Sequence, residues 1–162
     1  MGQQNGASQQ SQPAPAEPRP SDSVLNLLED RAFALTLSSG LGVVRAMIDS
    51  PTGSQLNIAI PVYAARGGGY ETGDPGRDVW SGYEGGAFSG RIRSRQLTSN
   101  VVAVVGMHRP QATVGAIRSY SEFFQSSANR VGVPVFVYSR RSNEYVIFEP
   151  GAASSVISAD IF

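Results

Sequence analysis

The sequence predicts a small α+β domain of about six to eight strands with one or two helices, behind a polar leader. Three observations carry this. Apolar residues recur in runs of strand length, several with period two; one stretch near 110–128 repeats with helical period; and the first 22 residues carry almost no large apolar side chain after Met1. The domain organisation expected is a leader over 1–22 and one globular unit over 23–162, with a glycine-rich loop at 66–90.

Each element has its own signal. The leader, MGQQNGASQQSQPAPAEPRPSD, has too little apolar surface to offset its ordering entropy and reads as disordered. Ser21 or Ser23 is placed to cap a helix carrying Val24, Leu25, Leu27, Leu28 and Arg31. Ala32–Leu37 then alternates and is expected to stop at Gly40 and Gly42, with Val43–Ile48 as a short strand. The clearest alternation is Gln55–Ala64, with Leu56, Ile58, Ile60 and Val62 on one face, and Pro61 marks an edge or a bulge.

Between Arg66 and Gly90 the chain is glycine-rich but holds Tyr70, Trp80, Tyr83 and Phe88, which points to a loop facing a ligand or partner. Arg91, Arg93 and Arg95 share one face of an expected strand over Arg91–Leu97, and Val101–Val105 reads as a buried strand. Pro110 opens an expected helix to about Ala128, with Val114, Ile117 and Phe124 along its stripe. Val133–Tyr138 and Glu144–Phe148 form the strongest strand pair, around a polar turn at Arg140–Asn143; Val156–Phe162 is the expected last strand.

Composition narrows the chemistry. The chain has no cysteine, so disulfides, thiolate metal sites and cysteine nucleophiles are excluded, and its single histidine, His108, excludes a multi-histidine metal site. His108 is expected at a strand-to-helix corner, bonded to backbone. Net charge is zero, so nucleic acid is not an expected partner, and no apolar run approaches the roughly 20 residues of a membrane-spanning helix. All 13 basic residues are arginine. Codon bias accounts for that, and so does escape from lysine-directed modification inside a foreign cell. The polar leader looks like the disordered export signals of bacterial type III effectors. The expected location is therefore secreted or translocated into a host cell through an uncleaved N-terminal signal, and otherwise cytoplasmic.

Near the C-terminus, Asn143-Glu144-Tyr145-Val146-Ile147-Phe148-Glu149, followed by Pro150-Gly151, resembles the strand that carries the catalytic glutamate in ADP-ribosyltransferases. Arg66 closes an upstream strand, as the NAD-binding arginine does in that family. Thr98-Ser99 stands where toxin-type members carry a Ser-Thr-Ser element. The resemblance implies a secreted or injected bacterial effector or toxin, a mono-ADP-ribosyltransferase using NAD on a host protein substrate. Glu144 would stabilise the oxocarbenium-like centre and bind the ribose 2′-hydroxyl. Arg66 would clamp the pyrophosphate, Thr98 and Ser99 would hold the glutamate and ribose, and Tyr70 or Tyr83 would stack on nicotinamide. Ser142 departs from the Glu or Gln that toxin-type enzymes carry two residues before the catalytic glutamate.

Two other classes remain open. One is a non-enzymatic structural or interaction protein, such as a phage virion or secretion accessory component. The other is an RNA-binding or RNA-cleaving module built on Arg91, Arg93, Arg95 and His108.

Overall fold

The computed structural model describes residues 18–50, 57–76, 78–82, 100–120 and 122–161. The expected strand over Arg91–Leu97, most of the leader, and Thr98, Ser99 and Tyr83 lie outside these.

The described chain begins just ahead of helix α1 (Asp22–Glu29), which Ser21 caps: its hydroxyl accepts from Val24 N–H, as the sequence indicated. Residues 18–22, assigned to the leader by composition, thus reach into the domain. Asp30 ends α1 and starts α2 (Arg31–Ile48), its carboxylate accepting from the amides of Ala32 and Phe33. Helix α2 replaces the expected break and short strand. Phe33, Leu37, Val44 and Ile48 fall on one buried face, so the apparent alternation of Ala32–Leu37 is one side of a helical stripe. Gly40 does not stop the helix. It lies against the sheet, where a Cβ would sit 2.8 Å from Val105 Cγ1. At 18 residues and mean hydropathy 1.2, α2 is long and apolar enough to cross a membrane by length and composition, and here its apolar face packs on the sheet.

One seven-stranded mixed sheet forms the centre. Its strands are β1 (Asn57–Ala64), β2 (Tyr70–Thr72), β3 (Trp80–Gly82), β4 (Val101–Met107), β5 (Val135–Ser139), β6 (Glu144–Phe148) and β7 (Ser155–Ser158). The order is β2-β1-β4-β5-β6-β7, with β3 also beside β1; β4 and β5 are parallel and every other pair is antiparallel. The parallel pair requires a crossover. Two helices supply it, α3 (Val114–Ser119, capped by Thr113) and α4 (Glu122–Val131), where the sequence indicated one. The last expected strand is β7, shortened by a 3₁₀ turn at Ala159–Ile161.

Alternation on each strand makes two cores. Ile60, Val105, Phe136 and Ile147 face α1 and α2, whereas Val104, Val137, Val146 and Phe148 face α3 and α4 with Ile117, Phe123 and Phe124. The domain is α+β, with helices on both faces of the sheet. Pro61 is not on an edge strand, and the β1–β4 register shifts just beyond it, between Val62 and Tyr63. The Pro61 carbonyl accepts from Gly73 N–H on the side where β2 and β3 leave a gap, so its missing N–H interrupts no ladder. The 66–90 stretch is also less of a loop than its composition indicated, since it contributes β2 and β3. Trp80 is 1% exposed and packs beside Ala59, which makes it core rather than a ligand-facing ring.

Candidate functional site

The strand register decides which sequence-marked residues can meet. Glu144 pairs with Ser139 across β5–β6, Val137 with Gly106 across β4–β5, and Gly106 with Ala59 across β1–β4. Glu144 therefore belongs to the end of the sheet where β1 begins. Arg66 is exposed and follows the opposite end of β1, in a hairpin loop where Gly67, Gly68 and Gly69 all take positive φ. With about 3.3 Å per residue along a strand and about 4.8 Å between strands, Arg66 and Glu144 lie roughly 25–30 Å apart. They do not share a cleft. Thr98, Ser99 and Tyr83 lie outside the described residues. Tyr70 is at the Arg66 end, its ring edge-on to Phe33 at 5.4 Å and its hydroxyl donating to Asp30 at 3.2 Å.

Local folding accounts for the Asn143-Glu144-Tyr145 string. Asn143 has φ 53, the left-handed conformation that turns the β5–β6 hairpin. Its side chain accepts from the Tyr138 hydroxyl and donates to Asp160, both at 2.7 Å. Tyr145 is buried under the first core, and Pro150-Gly151 makes the turn after β6, with Gly151 at φ 66.

The Glu144 end carries a polar row. Asn57, His108 and Ser139 are all buried, and each starts, follows or ends a strand. His108 Nδ1 bonds the Asn57 side-chain oxygen, and its ring stacks on Tyr120 at 6.5 Å. Ser139 donates to the Ala112 carbonyl at 3.1 Å. These groups close the sheet's end beneath the crossover, and burial keeps His108 from solvent. Among the described residues no group of three acidic, histidine or cysteine side chains is placed to hold a metal.

The other end of the sheet is bordered, among the described residues, by helix α1. Helix α1 crosses the strands there, its two ends tied to different parts of the fold. At its start, Ser21 donates to Glu149 from its amide at 2.9 Å and from its hydroxyl at 2.5 Å; at its finish, Asp30 accepts from Tyr70. Burial of Val24 and Leu28 holds the helix down. Each such side chain is worth about 1.5–3 kcal/mol, more than the exposed ties at the ends. Between α1 and the sheet's end lies a groove of about 610 Å³, within the range of ligand sites. Its apolar lining is Val24, Leu27, Val102, Pro134 and Pro150. The charged residues lining it, among those described, are Asp30 and Glu149, both acidic. Gly132, which ends α4 at φ 80 with its amide bonded to the Ala128 carbonyl, completes the wall.

Sequence reasoning missed this site except for Tyr70, to which it gave a different role. Ser21 and Glu149 are 128 residues apart, and no local pattern announces their meeting.

Comparison of the chain with protein-family models, curated proteins and solved structures finds no match.

Proposed function

We propose that the protein is a non-enzymatic interaction module that captures a segment of a partner protein in the groove beneath α1. The observation that carries this reading is the groove itself: a 610 Å³ concavity lined by both apolar and polar side chains, crossed by a helix that is anchored at both ends. Concave apolar surface with a few fixed polar groups at its rim is the general form of a binding site. Anchoring α1 keeps the groove formed before the partner arrives, which limits the ordering cost of association. The transferase reading needs Arg66 and Glu144 at one NAD molecule, and the sheet register lends it no support. Lysine depletion and the polar leader are compatible with a module delivered into another cell, where the partner would be a host protein.

A random peptide library displayed against the purified protein tests this. Selected peptides are expected to lose binding to Asn26→Trp, which places a large ring at an exposed position lining the groove. They should keep binding to Tyr120→Ala, at a side chain outside the groove. Equal binding to wild type and Asn26→Trp, or loss confined to Tyr120→Ala, would refute the reading.

A further inference from the structure

Resting on the groove reading above, we infer that the occupant is an extended peptide with two basic side chains four residues apart and an apolar side chain midway between them. Charge and length both lead there.

The described lining carries two carboxylates, Asp30 and Glu149, and no basic side chain. Two helix C-termini finish at the groove, α1 at Asp30 and α4 at Gly132, and two N-termini start beside it, α2 at Asp30 and α1 at Ser21, so their partial charges offset and the carboxylates set the sign. Arg130 lies in the last turn of α4 but not in the lining. Among the described residues, the two carboxylates therefore favour a cation at each end of the groove. The carboxylates are not used up by their present bonds. Glu149 receives two donors from Ser21, and Asp30 receives Tyr70 and the α2 amides, while a carboxylate offers about four acceptor positions.

The spacing follows from α1. Glu149 holds the start of this helix and Asp30 ends it. Its 8 residues span about 12 Å at 1.5 Å each. An extended peptide covers about 13 Å in four residue steps, and its first, third and fifth side chains point the same way. Basic residues at the first and fifth positions would then reach Glu149 and Asp30. The third would rest on Leu27, Val102 and Pro134. Arginine suits the two ends best, since its planar fork can add two donors to a carboxylate that already has partners.

The test uses three synthetic peptides, Arg-Ser-Leu-Ser-Arg, Gln-Ser-Leu-Ser-Gln and Glu-Ser-Leu-Ser-Glu, titrated calorimetrically into the full chain. The arginine peptide should bind at least about tenfold more tightly than the glutamine peptide, and that advantage should shrink as salt is raised. Asp30→Asn keeps the one oxygen that caps α2, and Glu149→Gln keeps one of the two oxygens that accept from Ser21 while the buried Val24 and Leu28 still hold α1 down, so the fold is retained. Each should weaken the arginine peptide by about three- to tenfold and leave the glutamine peptide unchanged. Comparable binding of all three peptides would overturn the charge inference and leave the groove reading standing. Binding of none would overturn both.

Discussion

Helix α2 contains two glycines that the structure treats in opposite ways, and a paired substitution measures the difference. At Gly42 a Cβ would meet nothing within 4 Å. Gly42→Ala should therefore return the helix-propensity difference alone, about 0.5–1 kcal/mol of added stability. At Gly40 the same substitution gains the same propensity, but its Cβ would sit 2.8 Å from Val105 Cγ1 and 3.1 Å from Thr72 Cγ2. Val105 is fully buried and stiff at χ1, so it cannot swing away. Overpacking of this kind costs about 1–3 kcal/mol and outweighs the propensity gain. The two variants should thus move in opposite directions and differ by the overpacking cost itself, about 1–3 kcal/mol. Urea unfolding followed by circular dichroism reads this as opposite shifts of the midpoint at constant slope. Loss of stability in Gly42→Ala would mean that the helix breaks where the glycines stand, and the packing of α2 on β4 would fall with it.

The remaining predictions concern the turn, the tyrosines and the register. Asn143→Ala loses two side-chain bonds and strains a φ of 53, so it should cost about 1–3 kcal/mol; Asn143→Gly keeps the φ and should cost less. Equal losses in thermal unfolding would contradict the left-handed turn. The Tyr63 phenol is pushed up to about 12 from its ordinary 10.0, first by burial and then by the Asp78 carboxylate; burial raises Tyr145 as well. Both favour the neutral form in the folded state. Their stabilisation is complete below pH 10 and is lost as pH rises through the folded values, so stability should fall on the alkaline side of pH 10. Alkaline titration by tyrosinate absorbance should show Tyr63 ionising late, and earlier in Asp78→Asn; ionisation of Tyr63 at its ordinary value would be the contrary result. Finally, the chain has no cysteine, so Arg66→Cys/Glu144→Cys accepts two spin labels selectively. Electron–electron resonance should place them about 30 Å apart. A distance below about 20 Å would restore the shared cleft that an NAD site requires.

Much of the sheet was legible because strand periodicity is local. Val101–Met107, Asn57–Ala64 and the β5–β6 hairpin follow directly from apolar runs bounded by turn residues. Helix α2 was not legible, because its glycines looked like stops. Gly40 is there to let the helix approach Val105, a tertiary reason that no local pattern records. The edge position expected for Pro61 failed for the same reason, since the gap between β2 and β3 exists only in the folded sheet. The Asn143–Gly151 string carried a family resemblance, but its residues here are occupied by a left-handed turn, a buried tyrosine and a second turn. The groove needed the whole fold. It exists because α1, from one end of the chain, lies across strands of which one, β6, ends just before Glu149.

The claim that the α1 groove is the binding site is tested most directly by amide chemical-shift mapping with the peptide Arg-Ser-Leu-Ser-Arg at saturation. The largest changes should fall on Leu27, Val102, Gly132 and Glu149, with His108, Ser139 and Glu144 at the other end of the sheet unmoved. Changes centred on His108, Ser139 and Glu144, or no change anywhere, would contradict it.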